Sequence, residues 1–307
     1  MTPQKTMSPQ SCGELLFLGV IWGGSFIGNS VALGAVGVFP TVAFRLTGAC
    51  LVLWAFVLWR GLAVPRGWRI WGAFAVMGLL NNALPFSLIT WGQQTVPAGL
   101  AAIINSSTAI FGVLIASLAF RDERLGLRRV LGVITGFLGV SVAIGLHNLS
   151  ALDPASVGQL ACLTAAVSYG LSGAWARRHL SHLPPQVAAA GMLTTSAAMT
   201  LPLAVWTGLP HGLPPLPVWG ALLYLALIST ALAYLLLYRL IAAAGAGNAS
   251  LNTFVAAPTA MILGAVILGE SLPARAYPGF ALIALGLLLL DGRILRYFSR
   301  ARPGHSG

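Results

Sequence analysis

Apolar residues run through this chain in blocks of about twenty, and the short stretches between them hold almost all of the charge. Ten blocks stand out, at 14–33, 39–59, 69–91, 97–120, 128–146, 158–178, 186–208, 216–239, 246–268 and 275–292. A helix of about 20 apolar residues crosses a hydrocarbon core of about 30 Å. The pattern therefore predicts an all-α polytopic membrane protein with ten transmembrane helices. Composition agrees, because 57% of the residues are hydrophobic and only 7% are charged, where a soluble domain carries about 25%. The polar start MTPQKTMSPQSCGE holds no small-residue cleavage site, so the first block reads as a retained span and not a signal peptide.

Charge sets the orientation. With the N-terminus in the cytoplasm, fifteen of the 17 basic residues fall inside, Arg275 alone falls outside and Arg45 lies within a span. Such an excess is the positive-inside signal. It accounts for the net charge of +11 without a nucleic-acid partner. The expected setting is a bacterial-type inner (plasma) membrane, crossed many times, with both termini cytoplasmic. The basic tail, 293–307, reads as a topology signal, with contact to anionic lipid as the other reading. Cys12, Cys50 and Cys162 form no CxxC or Cys/His cluster, so no metal, cofactor or disulfide framework is expected.

The chain also resembles itself at a constant shift of 147 positions. Trp22-Gly23-Gly24-Ser25 meets Tyr169-Gly170-Leu171-Ser172, and Trp59-Arg60-Gly61-Leu62 meets Trp206-Thr207-Gly208-Leu209. Asn105 meets Asn252, and Glu123, Leu125, Arg128, Gly132 and Gly139 meet Glu270, Leu272, Arg275, Gly279 and Gly286. Each copy holds five spans, so the second enters the membrane from the opposite face. Loop charges follow: the loop after the second span holds Arg60, Arg66 and Arg69, whereas its counterpart after the seventh holds none. The division is a cytoplasmic segment 1–13, a first repeat 14–146, an extracytoplasmic linker 147–157, a second, inverted repeat 158–292 and the tail 293–307. Inverted repeats mark alternating-access transporters, with the substrate site near the midplane. Duplication kept only for folding is the competing reading.

The segments FRDERLGLRRVLGVITGFLGV and ILGESLPARAYPGFALIALGL resemble the paired GE…G…G endings of the EamA-domain proteins of the drug/metabolite transporter superfamily. WGGSF in the first span and FRLTG in the second are similar to that family too. The resemblance covers essentially the whole chain. It implies a ten-helix bundle of two inverted five-helix EamA repeats around a central cavity. In length and layout the chain is most similar to the bacterial YddG-type amino-acid exporters, which implies export of aromatic and other neutral amino acids.

Polar groups inside spans locate the candidate site. In LLNNALPF, Asn82 lies about 20 Å along the third span, near the midplane. Pro85 lacks an amide hydrogen and crowds the carbonyl of Asn81, so a kink with a freed carbonyl is expected there. Pro258 sets a similar break in the ninth span, six residues after Asn252. In the first span Trp22, Ser25, Phe26 and Asn29 share one face. Gly19 with Gly23, and Gly24 with Gly28, have the spacing that lets another helix approach. The second copy offers Tyr169, Ser172 and Trp175, and Tyr234 is the most central tyrosine of the eighth span. These residues, with Asn105 and Asn252, are the candidate substrate contacts, and Pro85, Pro258 and Arg45 are the candidate gating or kink positions. Interhelical glue is the bland reading of the asparagines, and space filling that of the aromatics. Arg45 either meets a substrate carboxylate or pairs with a carbonyl at the outer rim, snorkelling outward.

All six acids and all five histidines lie near span ends or in loops. A proton relay needs such groups at mid-membrane, so facilitated diffusion without a carboxylate relay is expected. Sodium held by backbone carbonyls stays open. A pocket of rings and amides suits a small neutral or aromatic amino acid or a related metabolite. Export of lipophilic drugs or other small metabolites, with or without ion coupling, is the alternative. An enzyme is not expected: there is no HExxH, no GxSxG with a paired histidine and no mid-membrane Asp pair. The expected partners are a small-molecule substrate and the lipid bilayer. The oligomeric state stays open, and a monomer is compatible with the sequence.

Overall fold

Ten helical rods carry the chain in the computed structural model, which describes residues 8–120, 126–144, 154–209, 212–244, 249 and 252–291. They are α1 (Pro9–Leu33), α2 (Val38–Trp59), α3 (Trp68–Gly92), α4 (Ala98–Ala119), α5 (Leu127–Ile144), α6 (Pro154–His179), α7 (Pro185–Thr207), α8 (Leu216–Ala244), α9 (Thr253–Leu268) and α10 (Ala276–Asp291). Among the described residues all regular structure is helical. Glu123, Arg121 and Arg124, most of the segment 147–157 and the tail 293–307 lie outside the described residues. By length and hydropathy α1, α2, α3, α4, α7 and α8 can each cross a membrane, and α9 and α10 carry shorter apolar stretches. Leu51, Leu58, Leu118 and Val266 stand exposed on the outside of the bundle, as a lipid-facing surface requires.

Helix ends follow local chemistry. α1 begins at Pro9, five residues before the apolar block. Ser8 caps it by accepting the Ser11 N–H at 3.1 Å, and Pro9 sits where no intrahelical donor is needed. At the far end of α9, Gly269 adopts φ +65 and closes the helix on Gly264 O. Glu270 then reaches across to α4. Its Oε1 accepts the Ala98 N–H at 2.8 Å and its Oε2 accepts the Gly99 N–H at 3.3 Å. A carboxylate there answers the free donors and the positive end of the α4 dipole. The Gly-Glu pair noticed in the sequence is thus a helix cap between distant segments.

The dominant packing pairs are α5 with α10, α2 with α7, α1 with α9, α4 with α6, α3 with α6, α1 with α8, α2 with α8 and α3 with α7. Glycines set the closest approaches. A methyl at Gly23 would lie 2.6 Å from both Ala256 O and Thr259 Cβ of α9, and one at Gly24 would lie 2.5 Å from Tyr224 Oη of α8. Gly19 and Gly23 therefore seat α9, while Gly24 and Gly28 seat α8.

Two rods are widened in the middle. In α3 the residues Leu79–Ala83 form a π-helical turn, with the Leu84 N–H bonded to Leu79 O. In α8 a longer π-helical segment covers Tyr224–Leu232, with the Ala233 N–H bonded to Ile228 O. The two overlap under the 147-residue shift, which carries 79–83 onto 226–230. Pro85 acts differently from the sequence expectation. In the π register its missing N–H would have met Leu80, not Asn81, and a hydroxyl of α6 duly serves Leu80: Ser168 Oγ donates to Leu80 O at 2.7 Å. Pro258 is a plain correction. The α-helix Thr253–Leu268 continues through it without interruption, so no comparable widened turn forms in α9.

Gly23→Ala should lower thermal stability in detergent by about 1–3 kcal/mol, the usual cost of overpacking a close contact. Gly72→Ala, where an added methyl meets nothing within 4 Å, should stay within about 0.5 kcal/mol. Thermal unfolding of the two purified variants measures the contrast.

Candidate functional site

Polar side chains, most of them from neighbouring rods, converge on backbone carbonyls in and just before the widened turns. Around α3, Trp175 Nε1 donates to Ala73 O at 3.0 Å, Thr195 Oγ1 to Phe74 O at 2.9 Å and Ser196 Oγ to Gly78 O at 3.0 Å. Around α8, Trp22 Nε1 donates to Ser229 O at 3.2 Å and Thr230 Oγ1 to Leu225 O at 2.8 Å. A backbone group stripped of its helical partner costs several kcal/mol in hydrocarbon, so the Ser168 hydroxyl on Leu80 O, which Pro85 leaves without an N–H, supports the α3 turn directly.

A chain of hydrogen bonds joins the α3 turn to α6 and to α8, where Tyr234 lies two residues past the π segment. Ser172 Oγ shares its one proton between Asn81 Oδ1 at 2.9 Å and Tyr169 O at 2.8 Å, Asn81 Nδ2 donates to Tyr234 Oη at 2.9 Å, and Tyr234 Oη donates to Asn82 Oδ1 at 2.7 Å. The chain ends on Asn82 Nδ2, which has no partner although Asn82 is 0% exposed. Arg45, on α2, is only 5% exposed. Its Nε donates to Thr230 Oγ1 at 2.8 Å and its Nη2 to Ser229 Oγ at 3.1 Å, and its guanidinium lies 3.8 Å from the Phe86 ring centre. Arg45 thus turns inward and reaches the π segment of α8. It neither snorkels nor takes a carbonyl at the rim. Among the described residues no carboxylate reaches it: Glu14 holds Arg239 at 2.8 Å, and Glu270 caps α4.

The other sequence candidates divide. Ser25 turns back onto its own helix, donating to Trp22 O at 2.6 Å. Asn29 Nδ2 donates to Gln93 Oε1 at 3.0 Å, and Gln93 Nε2 donates to Phe26 O at 2.8 Å, so these three form a lock between α1 and α3. Tyr169 is half-buried, and its carbonyl accepts from Ser172 Oγ at 2.8 Å. Trp175 stacks on His179 with ring centres 4.0 Å apart. It also lines a cavity of about 440 Å³ together with Leu80, Ile115, Phe120, Leu171 and Arg178. That cavity lies to one side of the Asn81–Tyr234 chain and does not include Asn82, Trp22 or Tyr234. Asn105 ends the first part of α4 at a turn where Ser106 and Ser107 bond back to Ile103 O and Ile104 O, each at 2.6 Å. Asn252 Nδ2 donates to Ala249 O at 2.9 Å, a local contact.

Sequence reasoning missed Asn81, Phe86, Gln93, Ser229 and Thr230. Ser229 and Thr230 were within reach, since the 147-residue shift carries Asn82 and Ala83 onto them.

A multi-pass helical membrane protein with a polar, donor-rich centre is the class these features define. The sequence profile of the EamA-like transporter family matches residues 13–145 and again 156–290, and the chain belongs to that family. It is 26% identical over 283 residues to the uncharacterized transporter YvbV of Bacillus subtilis, covering 90% of each chain. It is 26% identical to a probable terminal-alkyne amino-acid exporter of Streptantibioticus cattleyicolor, covering 93% of this chain and 95% of that one. It is 24% identical to the uncharacterized inner membrane transporter YedA of Escherichia coli K12, covering 95% and 93%. A solved crystal structure with 20% identity superposes with a TM-score of 0.67 over 95% of this chain and 99% of that chain, a likeness of fold.

Tyr234→Phe should strip partners from both Asn81 Nδ2 and Asn82 Oδ1 and cost about 1–3 kcal/mol in stability. Tyr238→Phe, whose ring stacks on Tyr234 at 6.1 Å, should cost less than about 1 kcal/mol. Unfolding temperatures of the two variants compare them.

Proposed function

We propose that the chain is an exporter of small neutral or aromatic amino acids and related metabolites, built as two inverted five-helix repeats that rock about the Asn81–Tyr234 chain. The observation that carries this reading is the pair of π-helical segments at matching places in α3 and α8, linked by polar groups at mid-bundle. Widened turns of this kind concentrate at functional sites. The packing supports the symmetry: the shift of 147 exchanges α1–α8 with α6–α3, α1–α9 with α6–α4 and α2–α8 with α7–α3. The family profile matching twice supports it as well. The excess of basic residues in one set of loops favours cytoplasmic termini, and the relative named as an inner membrane transporter favours that membrane.

The amino-acid substrate rests on the ring-and-amide lining and on the relative named as a probable amino-acid exporter. The facilitated-diffusion reading is supported by the placing of acids, since Glu14 and Glu270 are both engaged at rod ends. The lipophilic-drug reading draws on the largely apolar cavity beside Trp175.

Counterflow into vesicles holding the purified protein, with labelled Phe, Met and Thr against cationic dyes, separates the readings. Saturable exchange of the amino acids is expected, unchanged by imposed proton or sodium gradients. Exchange of dyes alone would overturn the amino-acid assignment. Asn82→Ala should slow exchange about tenfold or more, the loss expected for one contact worth about 1.4 kcal/mol.

A further inference from the structure

Among the described residues Arg45 is a buried cation without a counter-ion. Its hydrogen bonds to described residues go to hydroxyls, and they use two of the five N–H groups that an arginine carries. The remaining three have no acceptor among the described residues. An isolated charge in an apolar interior is strongly disfavoured unless something compensates it. Phe86 under the guanidinium helps through its ring face, but a quadrupole does not neutralise a full charge. Phe86 lies three residues past the π segment of α3, so the guanidinium sits where α2, α3 and the π segment of α8 meet.

The polarity of this point matters as much as its position. The N–H groups that Arg45 has left over all donate, and an ammonium group finds no acceptor on them. A planar anion with two oxygens suits the guanidinium fork. Among the described residues Arg45 is the one cation held at this depth by hydroxyls alone, so the charge balance favours a single negative charge over a phosphate dianion.

We propose that Arg45 is the heart of a carboxylate-binding centre, and that the transported molecules are recognised by their carboxylate and not by their amine. The proposal rests on the transport reading above, since it assigns the acidic end of that substrate to named donors. Ser229 and Thr230 hold the guanidinium in place, and Phe86 supplies its floor. Because α2, α3 and α8 meet at this point, a bound carboxylate ties the three rods together.

The test uses four probes that share a phenyl ring: L-phenylalanine, 3-phenylpropionate, 2-phenylethylamine and L-phenylalanine amide. Binding is read as a saturable rise in the unfolding temperature of the detergent-purified protein in chloride-free buffer, and counterflow is read separately in vesicles. L-phenylalanine and 3-phenylpropionate are expected to stabilise the wild-type protein, and the two compounds without a carboxylate are expected to do nothing. Arg45→Lys, which keeps the charge but loses the fork, should weaken binding of both acids about tenfold or more. Stabilisation by 2-phenylethylamine equal to that by L-phenylalanine would overturn the proposal, and this comparison needs no variant to fold. Chloride matching the effect of both acids would also overturn it, by reducing the centre to a simple anion site. Acid binding that depends on Arg45, with no counterflow of any amino acid, would sink the transport reading and keep the carboxylate centre. Counterflow of L-phenylalanine and 2-phenylethylamine alike would do the reverse.

Discussion

A bilayer offers no water to an unpaired peptide group, and the middle of this molecule is organised by that constraint. α3 and α8 each give up regular α-helical bonding over a short π segment. Carbonyls in and just before these segments accept from Ser168, Trp175, Thr195 and Ser196 on one side and from Trp22 and Thr230 on the other. Most of these donors come from other rods. The widened turns, the positions of α1, α6 and α7, and the polar centre are therefore coupled. Arg45 joins this arrangement through Ser229 and Thr230, which lie inside the π segment of α8.

Glycine governs how near the donors can come. Trp22 reaches Ser229 O because Gly24 and Gly28 bring α1 against Tyr224 and Leu225. Tyr224 Oη in turn donates to Ile21 O at 2.7 Å, so the seam is held by polar as well as apolar contact. A chain of causes runs from small residues in the sequence to close helix approach, then to satisfied carbonyls, and then to a network with one free end. Rocking of the proposed halves would act on that free end first, because it bridges α3, α6 and α8.

Much of this was legible in the sequence. Apolar blocks marked all ten rods, and the WGGSF stretch pointed to the Trp22 face and its packing glycines. The amide pair before Pro85 marked the broken part of α3, although the partner carbonyl was misplaced by one residue, since a π register shifts the acceptor from Asn81 to Leu80. Pro258 misled for a related reason: a proline inside a helix permits a widened turn but does not compel one, and neighbours that donate decide the matter. Arg45 was placed near the rim by helix rise alone. Rise gives the depth of the Cα and says nothing about the direction of a long side chain, and here it points inward to hydroxyls. Ser229 and Thr230 went unnoticed because single hydroxyls are common in membrane helices, and only the internal shift sets them opposite Asn82. Gln93 lies just past the end of its apolar block, where sequence gives no hint of its burial between Asn29, Ser30 and the Phe26 carbonyl.

The account stands on the π segment of α8 facing a compartment that water enters in turn from each side of the membrane. Ser229→Cys in a chain whose three native cysteines are replaced addresses this directly, with a membrane-impermeant thiol reagent applied to oriented vesicles from one face and then from the other. The account predicts labelling from both faces, slowed from both by saturating L-phenylalanine. A cysteine at 229 that resists the reagent from either side in folded protein would contradict it.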